Sequence, residues 1–162
     1  MRAATDTQLT EIFGRNRLIN DLLRSDVEVA IPVRDRGIDL IAYVDLDEQA
    51  GRFSAVPIQI KTATQRAFSI DRKYAKFPDL LLAFLWGIAQ PETAIVYALS
   101  YRESLDVAEA MGWLKTESWI ERGRYTTTAP SEKLVALLAR YEVRPGTWKS
   151  RITSAHHPPA HP

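Results

Sequence analysis

Between Thr5 and Arg24 the apolar residues Leu9, Ile12, Phe13, Ile19, Leu22 and Leu23 recur at helical spacing. Thr5 with Gln8 three positions later fits a capping box, so this segment predicts an amphipathic helix. After Ser25-Asp26 the period shortens. Val27–Ile31 alternates and stops at Pro32, and Ile38–Val44 follows the turn-like Arg34-Asp35-Arg36-Gly37, which predicts two neighbouring strands. A polar stretch from Asp45 to Gly51 leads to a third strand over Arg52–Lys61, where Pro57 points to an edge position or a bulge. Ala67–Ile70 predicts a short strand and Asp71–Lys76 a single helical turn before Pro78. The runs Leu80–Trp86 and Ala94–Leu99, apolar on both faces and separated by Gln90-Pro91-Glu92, predict two buried strands, although the first also fits a buried helix. Ser100 and Glu103 form a second capping box for a helix to about Met111, and Pro130 opens another to about Tyr141. Trp113–Thr128 has no clear period. The segment from Ile152 to Pro162, punctuated by Pro, reads as a flexible tail.

These elements predict an α/β fold: a central mixed sheet with the first helix on one face and the C-terminal helices on the other. With 46% apolar and 25% charged residues in 162, the composition excludes a disordered chain. A domain of this size buries roughly 70% of the surface its unfolded chain exposes. We expect one domain over residues 1–151, with its core at about 5–100, a helical extension at about 101–151 and the tail at 152–162. The absence of Cys excludes thiolate metal sites, disulfides and a cysteine nucleophile. No apolar stretch has the ~18 residues of a membrane span, so the expectation is a cytoplasmic protein with no membrane partner. A net charge of +1 leaves any electrostatic footprint local.

Three elements carry chemistry in a suggestive order: Glu11 on the first helix, Asp39 in Arg36-Gly37-Ile38-Asp39-Leu40, and Gln59-Ile60-Lys61 on the third strand. Strand alternation puts Gln59 and Lys61 on one face, and a suitable hairpin register brings Asp39 beside them. A carboxylate, a second oxygen donor and a lysine then converge, a group suited to Mg²⁺ and to phosphoryl chemistry.

At these residues the chain resembles the PD-(D/E)xK nuclease superfamily, in particular Holliday-junction-resolvase-like and Mrr-like nucleases. The resemblance runs from about Leu9 to Leu99. It implies a restriction-endonuclease-like αβββαβ core and a divalent-metal-dependent endonuclease that hydrolyses DNA phosphodiesters. It further implies that Glu11, Asp39, Gln59 and the Ile60 carbonyl hold Mg²⁺ or Mn²⁺ while Lys61 completes the catalytic set. Two positions depart from the family pattern: Ile38 stands where Pro is common, and Gln59 replaces the usual acid. An amide oxygen ligates Mg²⁺ without bringing charge, so metal affinity should fall.

From Lys61 to Lys76 five basic residues face one acid, Asp71, and Arg66, Arg72, Lys73 and Lys76 are therefore candidate nucleic-acid contacts, with DNA as the expected partner and RNA also open. Tyr74 is a candidate for stacking on a base. Arg140, Arg144, Lys149 and Arg151 form a second basic group. A homodimer is a further expectation, through an exposed edge near Pro57 or the Trp-rich segment. The alternative reading is a catalytically weak or inactive module of the same fold that binds nucleic acid or a protein. No Gly-rich phosphate loop and no Ser/His arrangement competes with these readings.

Overall fold

The computed structural model describes residues 7–34, 36–44 and 53–155. The Thr5 half of the first capping box, Asp35 of the first turn, the polar stretch at 45–51 and the tail beyond 155 lie outside the described residues.

Helix α1 (Thr7–Leu23) is followed by strands β1 (Glu28–Ala30), β2 (Leu40–Val44) and β3 (Ser54–Ala63). Then come β4 (Phe68–Asp71), a 3-10 turn (Arg72–Lys76), β5 (Leu81–Trp86), β6 (Ile95–Ser100) and helix α2 (Tyr101–Ala110). The chain ends with α3 (Glu117–Arg122), β7 (Arg124–Thr127), α4 (Glu132–Leu138), β8 (Glu142–Val143) and α5 (Trp148–Ala155). Six strands form one mixed sheet in the order β1-β2-β3-β5-β6-β8, parallel only between β3 and β5, and β4 pairs with β7 in a separate two-stranded sheet. The fold is α/β. In place of the second helix of an αβββαβ order, β4 and the 3-10 turn link β3 to β5.

The ambiguous run Leu80–Trp86 is a strand because its alternate residues feed two cores. Leu81, Ala83 and Leu85 pack with Leu18 and Leu22 of α1 and with Trp148 and Ile152 of α5. Leu82, Phe84 and Trp86 pack with Val107 of α2, Trp119 of α3 and Leu134 of α4. Each of the fully buried leucines contributes about 1.5–3 kcal/mol. This arrangement corrects the expectation for the C-terminal helices: α2, α3 and α4 cover one face, but α5 lies beside α1 on the other. It also moves the start of the tail, since Ile152 is buried in a helix anchored by the wholly buried Trp148.

Within α1 the inward stripe is Gly14, Leu18, Asp21 and Leu22, whereas Leu9, Ile12 and Phe13, expected to face inward, are about half exposed. The cause is Gly14: a Cβ there would overlap the Thr62 methyl of β3, so helix and strand approach as closely as they do only because none exists. Pro57 sits in an interior strand, opposite Ile41 of β2, while the ladder to β5 begins at Ile58. Its missing N–H falls one residue before that ladder, so neither an edge nor a bulge is needed. The edge strands of the sheet are β1 and β8, so the edge expected near Pro57 does not exist.

The second capping box forms as its sequence pattern predicts: Glu103 N–H donates to Ser100 Oγ, and Ser100 N–H to the Glu103 carboxylate. Pro130 precedes the cap of α4 and does not lie in its first turn, because Ser131 Oγ accepts from Leu134 N–H. Among the described residues no helix is long and apolar enough to cross a membrane.

Candidate active site

The β2 ladder ends at Leu40, opposite Ile58, so among the described residues the last residues of β3 have no strand partner on that side. Just upstream the chain turns through Gly37, whose φ of 90° is a left-handed conformation that glycine adopts without penalty. The turn delivers Asp39, whose backbone N–H donates to the Ile58 carbonyl at 2.9 Å. The Asp39 side chain then continues where the ladder stops. Its Oδ2 accepts from Ile60 N–H at 2.6 Å and from Gln59 Nε2 at 2.7 Å. One carboxylate oxygen thus satisfies a strand amide that would otherwise lack a partner and fixes the Gln59 amide beside it.

A cleft of about 270 Å³ opens at this point, lined by Glu11, Arg15, Asp39, Gln59, Ile60, Lys61 and Thr62. The structure therefore gathers Glu11, Asp39, Gln59, Ile60 and Lys61, all five of the residues that the sequence order singles out, around one space. Gly14 is the reason Glu11 reaches it, because the close approach at Thr62 holds this turn of α1 against the end of β3. Lys61 Nζ lies 5.1 Å from the centroid of the Tyr74 ring, and Lys73 Nζ lies 5.0 Å from the same ring. Attraction to the ring face steadies the Lys61 ammonium.

The donor set suits a hard cation. Gln59 Nε2 stands between Asp39 Oδ2 and, at 3.4 Å, the Ile60 carbonyl oxygen, the position of a positive group between two oxygens. A half-turn of the amide exchanges Nε2 for Oε1 and offers carboxylate, amide and carbonyl oxygens together, the ligand types that Mg²⁺ and Mn²⁺ take. No group of three or more His, Cys, Asp and Glu side chains with metal-site geometry occurs among the described residues. Any ion held here depends on the amide and the carbonyl as well as on the acids.

Two lining residues, Arg15 and Thr62, were not singled out by sequence reasoning. Arg15 stands one helical turn after Glu11, on the same side of α1, and that spacing was the available signal.

The basic run beyond Lys61 is distributed differently. Arg66 is exposed between β3 and β4. Arg72 packs on the Trp119 ring at 5.0 Å and donates to the Trp119 carbonyl, so its guanidinium ties the 3-10 turn to α3. Lys73 reaches Asp71 at 3.6 Å, and Lys76 lies over the Phe77 ring. Tyr74 is buried beneath Lys61 and Lys73, which removes it as a stacking platform. In the second basic group Arg144 pairs with Glu142, Arg151 with Glu103, and Arg140 lies on the Tyr141 ring.

A larger cleft of about 480 Å³ flanks α1, lined by Phe13, Asn16, Asn20 and Arg24 among others. Its buried carboxylate, Asp21, is already held by Arg17 Nε through both oxygens, at 2.9 and 3.0 Å, so it offers no comparable convergence of reactive groups. No family model, curated protein or solved structure matches this chain.

Proposed function

We propose that the protein is a divalent-metal-dependent nuclease of the PD-(D/E)xK type, with a restriction-endonuclease-like core, that hydrolyses phosphodiesters in DNA. The observation that carries this reading is the convergence of Asp39, Gln59, the Ile60 carbonyl, Lys61 and Glu11 on one cleft beside the end of β3, past the last β2 pair and still paired with β5 on its other side. The sheet supports it too: β1, β2 and β3 form an antiparallel meander, and β5 returns parallel to β3.

In this reading Asp39, Gln59 and the Ile60 carbonyl hold Mg²⁺ or Mn²⁺, with Glu11 facing them from α1. The ion supplies Lewis-acid polarisation of the phosphate and a more acidic water. Lys61 orients the attacking water and offsets the charge that grows on the phosphate oxygens. Asp39 accepts from the Ile60 amide and so extends the strand pairing, while the Gln59 amide, which donates to Asp39 in this arrangement, must turn to present its oxygen to an ion. Arg66, exposed between β3 and β4 on the segment that reaches the cleft through Tyr74, is the cation of the basic run placed to follow the DNA backbone.

The test is incubation with supercoiled, linear and branched DNA in Mg²⁺ or Mn²⁺, with EDTA controls. Cleavage that needs the ion supports the proposal. DNA binding that is unaffected by EDTA, with no cutting of any substrate, replaces it with the binding-module reading, for which the uncharged Gln59 is the specific observation.

A further inference from the structure

Arg15 is the feature of the cleft that the proposed chemistry leaves unused. It stands four residues after Glu11, is half-buried, and lines the same space as Lys61. Among the described residues Arg15 forms no ion pair with a carboxylate, and it differs from the exposed Arg24, Arg66 and Arg122, which form none either, in being half-buried on this cleft. A half-buried guanidinium on a helix held tightly to the sheet, lining a cleft with a lysine and forming no ion pair among the described residues, has donors to offer an external anion. Its planar fork matches two oxygens of a phosphate, which the ammonium of lysine cannot do.

The charge of the cleft points the same way. Glu11 and Asp39 bring two negative charges, and Arg15 and Lys61 bring two positive ones, so the lining is formally neutral. An acid at position 59 would make it negative and repel a phosphodiester until a cation arrived. With Gln59 that repulsion is absent.

We infer that Arg15 is the phosphate-binding residue of the cleft, and that its guanidinium grips the non-bridging oxygens of a nucleic-acid backbone phosphate without needing a divalent ion first. This inference rests on the proposed nuclease reading for the identity of the phosphate, but its test does not require cleavage.

The experiment measures binding of a fluorescent duplex oligonucleotide in EDTA at several salt concentrations, for wild type, Arg15→Ala, Arg15→Lys and Gln59→Glu. Thermal unfolding of each variant verifies that it is folded. We expect Arg15→Ala to weaken binding about tenfold, from loss of a charge-assisted pair of hydrogen bonds, and to reduce the salt slope by about one. Arg15→Lys should keep the slope but recover only part of the affinity. Gln59→Glu should weaken binding in EDTA. Unchanged affinity and slope in folded Arg15→Ala, or full recovery in Arg15→Lys, overturns the inference. So does a wild type that shows no affinity for the duplex in EDTA. The nuclease reading fails separately: if wild type binds through Arg15 but cuts nothing in Mg²⁺ or Mn²⁺, the phosphate site stands and the hydrolytic role falls.

Discussion

The cleft at the end of β3 and the aromatic shelf built from the 3-10 turn and α3 are neighbours joined through Tyr74, and both are rich in cations. They use them differently. In the cleft, Arg15 and Lys61 share a space with two carboxylates and an amide. On the shelf, Arg72 lies on Trp119 and Lys76 on Phe77, so the charged groups cover apolar rings. The lesson is that local charge in a sequence does not measure charge available to a ligand. The run from Arg66 to Lys76 is the most basic stretch near the site, yet its Arg72 works as a tie between elements. Arg15, outside that run on α1, is the cation that lines the cleft.

The largest effect that separates the two regions is expected from Gly14→Ala. The new methyl must push α1 away from Thr62, at about 1–3 kcal/mol of stability, and a displacement of about 1 Å at Glu11 should slow cleavage on the order of 100-fold. Urea unfolding and a nicking assay on the same sample measure both. A variant with unchanged stability and rate would show that the close approach does not position the site.

Next in size is Arg72→Ala, which removes a ring contact and a hydrogen bond and should cost about 1–2 kcal/mol of stability. DNA affinity should barely move. If affinity falls severalfold while the urea midpoint holds, the shelf is a binding surface and the contrast drawn here is wrong.

A smaller effect belongs to the shelf side of the sheet and is read through pH. Burial pushes the hydroxyls of Tyr97 and Tyr141 above the ordinary 10.0, with nearby Glu142 adding to the effect at Tyr97. Tyr101 is raised for the same reason of burial. The unfolded chain releases these protons first, so their contribution is intact below about pH 10 and is lost as pH rises through the folded-state values. Urea midpoints should hold up to about pH 9.5 and then fall by pH 11. A flat profile would mean that the three rings are better solvated than their packing indicates.

The smallest expected change is Arg66→Ala. An exposed cation between two strands should leave stability within about 0.5 kcal/mol while lowering DNA affinity severalfold through loss of one phosphate contact. Fluorescence anisotropy at two salt concentrations distinguishes that from no contact at all.

Much of this was legible in the chain. The strands beside Asp39 and carrying Gln59 were marked by a preceding turn and by a β-branched apolar run, and the hairpin brought the two residues together, although Asp39 lies one residue before β2 and not on it. The capping box at Ser100 and Glu103 was a local signal, and it formed. What escaped depended on contacts distant in sequence. The rotation of α1 that exposes Leu9, Ile12 and Phe13 is set by Gly14 against Thr62, and no helical period contains that contact. Trp113–Thr128 resolved into a 3-10 turn (Trp113–Lys115), α3 and β7, too short for a period to register, and β7 exists because it pairs with β4 far upstream. Ile152 looked like the start of a tail because its apolar partners lie on β2, β3 and α1 and not beside it in the chain.

The most direct measurement of the central claim is the nicking rate of supercoiled DNA in Mg²⁺ by wild type and Lys61→Ala, each with an EDTA control. Lys61 is half-buried above Tyr74, so its truncation should leave the fold intact. The account predicts ion-dependent nicking by wild type and a rate lower by about 100-fold or more in the variant. A Lys61→Ala protein that nicks at the wild-type rate would contradict it.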